Sequence, residues 1–198
     1  MTSKLLYSAI GKADRTLFNS GVNRQMRNFF AYLRVAFNKV DAQRLEEVGP
    51  DRLCAEWVIK NGGAVQFKNH QQPVKEYNSL NTNNSAQIRL VDGTDSSIMA
   101  LGFEHFKGCK AIEHIILNRC KHMENEALEQ LVYVKNSLKE LQVTNCSNVV
   151  ESGLLSLKQL NHLQKLTIYG FIYIKDFNGV VSQLKKDLPG CEIVTDKQ

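Results

Sequence analysis

One apolar frame recurs along this chain, and it restricts the fold more than any other feature. Ile112, Ile115, Leu117 and Cys120 form one copy. Leu138, Leu141, Val143 and Cys146 form the next, and Leu163, Leu166, Ile168 and Phe171 the one after. A shorter copy at Leu188, Cys191 and Ile193 closes the series, and Ile88 and Leu90 open it. The central apolar positions are 90, 117, 143, 168 and 193, at spacings of 27, 26, 25 and 25 residues. A fixed period of this length marks a stacked repeat protein, and Leu-x-x-Leu-x-Leu-x-x-Cys is the leucine-rich-repeat pattern.

Alternation along a strand turns every second side chain to the same face. Leu141 and Val143 therefore point inward, and Glu140, Gln142 and Thr144 outward. Stacked copies build a parallel sheet with a continuous apolar inner face, which no single copy could bury alone. The cysteine closes each strand where the chain turns in, a narrow corner suited to a small apolar side chain with a weak S–H donor. Phe171 takes the equivalent place in a later copy. After each corner a helical segment is expected. Met123, Ala127, Leu128 and Leu131, then Val149, Gly153, Leu154 and Leu157, follow i, i+4, i+5, i+8 spacing. "SSIMALGFEHF" and "IKDFNGVVSQL" take the same part in the first and fourth copies. The expected fold is an α/β leucine-rich-repeat solenoid of four to five cysteine-type repeats, each strand–turn–helix.

Upstream, Phe29, Leu33, Phe37 and Val40 fall at helical steps and Leu45 and Val48 continue them. A further helix opens at Pro50, a favoured first helical position, and buries Leu53, Cys54, Trp57 and Val58 on one side before Asn61-Gly62-Gly63 stops it. A small helical module over residues 29–64 would cover the open end of the solenoid, which needs a cap. "AVQFK" reads as a leading strand, 78–85 as a loop, and 65–198 as the repeat domain.

Charge is concentrated at the start. Residues 1–40 hold seven Lys or Arg and one acid, Asp14, while the whole chain carries +5. The folded body is thus near neutral, which argues against a nucleic-acid-binding domain. The composition of residues 1–28 is that of a mitochondrial transit peptide. A basic surface-binding helix is the alternative for the same residues. No run of 18 apolar residues suggests a membrane span. The five cysteines form no CxxC pair and read as buried free thiols.

The outward strand positions form the expected partner surface. Arg89, His114, Ile116, Asn118, Glu140, Gln142, Thr144, Lys165, Thr167 and Tyr169 make a mixed polar face suited to a protein rather than an anionic polymer. Asp92 and Asp95 flank a turn, and are read as caps for a helix beginning near Ser96. Cys120 and His122 lack a third partner for metal or nucleophilic work. No Gly-rich phosphate loop, GxSxG or HExxH occurs, so a non-catalytic protein is expected.

"FNKVD", "VGPDRLCAEWVIKNGG", "KEYNSL" and "VDGTDSSIMALGFEH" together resemble the factor B family, also called mitochondrial ATP synthase subunit s, from about Phe29 to the end of the chain. Its relatives are the distal membrane-arm assembly proteins. The resemblance implies a peripheral protein on the matrix side of the mitochondrial inner membrane. It implies partnership with the membrane sector of ATP synthase and an influence on proton conduction, or alternatively with assembly intermediates of respiratory complex I. It implies a helical domain, a repeat domain and Mg²⁺ between them, which motif matching places at Gly62 and Thr94. Family members can carry a CxC dithiol where this chain has Asn118 and Cys120, which puts a dithiol redox role in doubt here. A third reading, a substrate adaptor of a ubiquitin ligase, needs an F-box module whose Leu-Pro start residues 1–63 lack.

Overall fold

The computed structural model describes residues 23–68, 70–80 and 86–195, with side chains from Met26 onward. Most of the expected transit peptide, 1–22, lies outside the described residues. The fold is α/β, around a six-stranded mixed sheet in sequential order. Its strands are β1 (Ala64–Phe67), β2 (Ile88–Asp92), β3 (His114–Asn118), β4 (Glu140–Thr144), β5 (Lys165–Tyr169) and β6 (Glu192–Val194). β2 to β6 run parallel, and β1 pairs antiparallel with β2.

The central copies fall where the pattern puts them. Ile115, Leu141 and Leu166 stand in one row, and Leu117, Val143 and Ile168 in the next; all six are 2% exposed or less. The two ends differ. Val91, not Leu90, pairs with Ile115, and Leu90 stands beside His114. The cause is a β-bulge: Gln66 opposes Leu90 and Phe67 opposes Ile88, so Arg89 is the extra residue. Ile88 and Val91 reach the core, while Leu90 stays half-exposed. At the other end Ile193 opposes Leu166 rather than Ile168, so the last copy is two residues longer than the leucine spacing implies, and Cys191 is half-buried just ahead of β6.

The returning segments are shorter than continuous α-helices. The first is the 3-10 helix Ala100–Phe106, which starts four residues beyond Ser96. The second joins α4 (Asn125–Glu129) to the 3-10 helix Gln130–Val134, and the third joins α5 (Glu151–Ser156) to Leu157–Gln159. Only the fourth is a full helix, α6 (Phe177–Asp187), with the Asp176 carboxylate accepting from the Gly179 N–H at 2.8 Å. A repeat of 24–27 residues leaves too little chain for a long helix once strand and turns are placed. The expected inward residues are nevertheless buried: Met123, Ala127, Leu128, Leu131, Val149, Leu154 and Leu157 are all 0% exposed.

Each corner repeats one geometry. Asp95, Arg119, Asn145 and Gly170 all adopt positive φ, at 56°, 56°, 55° and 77°. The next residues are Ser96, Cys120, Cys146 and Phe171. The first three are buried and Phe171 partly so. The Cys120 thiol donates to the Gly93 carbonyl at 3.1 Å, and the Cys146 thiol to the Thr144 carbonyl at 3.3 Å. The thiols therefore satisfy backbone oxygens at the turn. The neighbouring Cys146 thiol, together with burial, holds Cys120 well above the ordinary thiol range, so it stays protonated.

Among the described residues, three helices pack on the β1 side. α1 (Asn23–Asn38) begins upstream of the expected boundary at Phe29. Asp41 then interrupts the chain and caps α2 (Ala42–Val48), its carboxylate accepting from Arg44 N–H at 3.0 Å. α3 (Pro50–Lys60) buries every residue from Leu53 to Ile59, Glu56 included, rather than one side only. Its Asp51 carboxylate accepts from the Ile88 N–H at 2.8 Å and ties the helix to β2. The core is one cluster running from Cys54 to Leu188.

Candidate docking face

The side of the sheet opposite the helical segments carries the outward strand positions in rows set by the observed register. One row is Leu90, His114, Glu140, Lys165 and Glu192. The next is Asp92, Ile116, Gln142, Thr167 and Val194. The third is Asn118, Thr144 and Tyr169. The expected partner residues of β3, β4 and β5 are thus brought together. Arg89 is not: the bulge lifts it out of the Ile116 row, and its guanidinium donates to the Gln66 side-chain oxygen at 3.1 Å.

Thr144 is the second departure. It is 0% exposed, receives a hydrogen bond from the Gln142 amide at 3.1 Å and donates to the Asn118 side-chain oxygen at 3.0 Å. It organises its neighbours and offers no surface to a partner. Asn145 also donates to Asn118, at 3.0 Å. Asn118 is therefore a polar hub between two repeats.

Charges on this face alternate from strand to strand. Lys139 meets Glu113 at 2.8 Å, His114 meets Glu140 at 3.2 Å, and Lys165 approaches Glu192 at 4.0 Å. Lys139 holds the Glu113 carboxyl below the usual carboxylate range. Arg119 grips Asp95 with two parallel bonds of 2.8 and 2.6 Å, and holds that carboxyl low as well. Such exposed pairs are screened by water and contribute little to stability. Their larger consequence is a face that is locally neutral yet patterned, with Ile116 and Tyr169 half-buried within it. The Asp95–Arg119 and Glu113–Lys139 pairs were legible in outline. Each joins equivalent positions 24 or 26 residues apart, and opposite charges at such positions become cross-strand neighbours.

Gly62 and Thr94 come from separate segments that the fold sets side by side. The Ser97 N–H donates to the Asn61 carbonyl at 2.9 Å. A Cβ on Gly63 would lie 2.6 Å from the Asp92 carbonyl oxygen, so only glycine admits this approach. Gly62 is exposed at φ 92° and Thr94 is half-exposed. The nearby carboxylates are engaged: Asp92 accepts from the Thr94 N–H at 2.9 Å, and Asp95 binds Arg119. Among the described residues, no three His, Cys, Asp or Glu converge on one point.

No protein-family model matches the chain. Curated relatives do. The protein named "ATP synthase subunit s, mitochondrial" from Bos taurus is 34% identical over 179 residues, covering 88% of this chain and 90% of its own. The Rattus norvegicus protein of that name is 35% identical over 191 residues, covering 92% and 96%. The Homo sapiens protein is 33% identical over 172 residues, covering 84% and 86%. Identity of this level, sustained over 84–92% of the chain, places it in the mitochondrial ATP synthase subunit s family.

Proposed function

We propose that this protein is a non-catalytic mitochondrial docking protein of ATP synthase. In this reading it is a leucine-rich-repeat solenoid with an N-terminal helical cap. It binds the membrane sector of the enzyme from the matrix side, at the periphery of the inner membrane, and regulates or couples proton conduction there. The observation that carries this reading is near-full-length similarity to proteins named as a subunit of that enzyme. The solenoid reading is supported by equivalent residues in register every 24–27 positions and by the repeated positive-φ corner. The docking reading is supported by the patterned sheet face. Peripheral attachment is supported by α1, a helix without acidic residues that exposes Met26, Phe29 and Tyr32. Among the described residues no helix is long and apolar enough to cross a membrane.

In solubilised mitochondrial membranes resolved on native gels, the tagged protein is expected to co-migrate with ATP synthase. Tyr169→Ala should weaken that association by about 2 kcal/mol, or about 30-fold, as an aromatic anchor at an interface centre does. Migration with complex I intermediates would replace this reading by the assembly alternative. Migration with cytosolic ubiquitin-ligase subunits would replace it by the adaptor one.

The proposal extends to Mg²⁺ on the oxygens of Gly62 and Thr94, where it would join the turn after α3 to the loop after β2 and stiffen that joint. Bound at one hundred times its dissociation constant, the ion would add about 2.7 kcal/mol to stability. At 2–4 °C per kcal/mol, thermal unfolding should then rise by roughly 5–10 °C in excess Mg²⁺ over EDTA. Identical transitions in the two buffers would remove the ion from the account.

A further inference from the structure

Four groups that are far apart in sequence meet at the strand ends where the returning segments re-enter the sheet. Lys68 follows β1, Lys110 precedes β3, Lys139 precedes β4 and His162 precedes β5, and together with Glu113 and Ser137 they line a cleft of about 330 Å³. Glu113 is already matched by Lys139 at 2.8 Å. Counting Glu113 against Lys139, the lining keeps a formal charge of +2 from Lys68 and Lys110, both exposed, with Lys68 also within electrostatic reach of Glu113 and Asp51. Neither lysine belongs to the rows of the docking face.

We propose that this cleft receives an acidic segment of a partner protein, an extended stretch carrying two or more carboxylates. The inference rests on the reading of the adjoining sheet face as a protein-docking surface, and it names the chemistry of the segment that reaches beyond that face. The cations are spread over several strand ends, about 4.8 Å apart per strand, and not gathered around one point. An extended peptide, with alternate side chains about 7 Å apart, spans several such strand ends within a few residues. The lining lysines are single-point cations without the bidentate fork that favours one phosphate group. Two of its lining residues, Glu113 and Lys139, directly precede His114 and Glu140 of the first polar row, so a peptide in the cleft lies next to the sheet face.

The test is fluorescence anisotropy with the full chain and a labelled hexaglutamate peptide, with hexalysine as control and inorganic phosphate as competitor. Hexaglutamate should bind, and should weaken at least tenfold as salt rises from about 20 to about 200 mM. The Lys68→Glu/Lys110→Glu double variant should lose at least tenfold in affinity while its far-UV circular dichroism and melting temperature stay unchanged. Binding no tighter than hexalysine overturns the inference. So does affinity indifferent to the charge reversal, or displacement by phosphate at concentrations similar to the peptide's. Co-migration of the unaltered protein with ATP synthase, set beside its peptide binding, separates the two readings. Failed peptide binding with wild-type co-migration of the unaltered protein overturns the acidic-segment inference alone. Absent co-migration of the unaltered protein overturns the docking reading instead, whatever the peptide does.

Discussion

Asn38→Ala should lower the unfolding free energy by about 3–5 kcal/mol, because it strands at least two buried donors, each costing about 1–3 kcal/mol. Asn38 is 0% exposed at the last turn of α1. Its side-chain oxygen accepts from Trp57 Nε1 at 3.0 Å and from the Met99 N–H at 2.9 Å. Its amide donates to the Arg34 carbonyl at 2.9 Å, the Asn61 side chain at 3.1 Å and the Ser97 carbonyl at 3.2 Å. One side chain therefore joins α1, α3 and the loop after β2. Packing leaves no means of compensation. Trp57 stacks on His105 with centroids 5.0 Å apart, and Phe103 and Phe106 meet it edge-on. A Cβ on Gly102 would come within 2.4 Å of Trp57 Nε1 and 2.5 Å of Asn38 Oδ1, so only glycine admits this close a fit around the pair. Urea unfolding followed by emission of Trp57, the chain's one tryptophan, and by circular dichroism should show the midpoint fall. An unchanged midpoint would mean that the hub does not hold the N-terminal helices.

Removing Glu56 should also destabilise the fold, with a different signature. Its carboxylate is 1% exposed, yet it faces Arg44 at 2.8 Å, Arg52 at 2.9 Å and Lys60 at 4.0 Å. Losing the carboxylate costs about 1–3 kcal/mol, because Arg52 stays largely buried while Arg44 and Lys60, each about a third exposed, keep contact with water and Arg44 keeps Glu47. Glu56→Ala should show that loss at neutral pH. Burial pushes the Glu56 carboxyl up, but hydrogen bonds from Arg44 and Arg52 outweigh it and leave it below the usual range. The unfolded chain therefore takes up this proton first. The contribution is complete above the unfolded value of about 4.3 and is lost as pH falls through the lower folded value. The gap in stability between the parent and Glu56→Ala should accordingly narrow in acid. A gap that stays constant from neutral pH to well below pH 4, roughly, would show that the carboxylate is not held by these cations.

The core residues of the middle repeats were readable because two independent periodicities agree there. Leu141 and Val143 satisfy the strand alternation, and the same spacing returns at Leu166 and Ile168. The end copies were misread where a single insertion breaks the count. The bulge at Arg89 exchanges Leu90 for Val91, and the longer final turn moves Ile193 into the row of Leu166. A bulge costs only one unpaired residue, and composition carries no mark of it. The burial of Thr144 was hidden for a related reason. Alternation sends its side chain outward, but Gln142 and Asn118 close over it with hydrogen bonds. Asn38 and Glu56 were hidden because a polar residue on a helix reads as solvent-facing until its partners are known.

Periodicity along one chain specified the stacking direction, the inner columns and the corner thiols, because each copy repeats the same local geometry and buries the same positions. It could not specify contacts between residues that differ from copy to copy. The Asn38 hub, the Glu56 cation cluster and the lysines around the cleft each join segments separated by tens of residues. Such contacts have no period to read. They exist only once the sheet and its end helices have brought the partners within hydrogen-bonding reach.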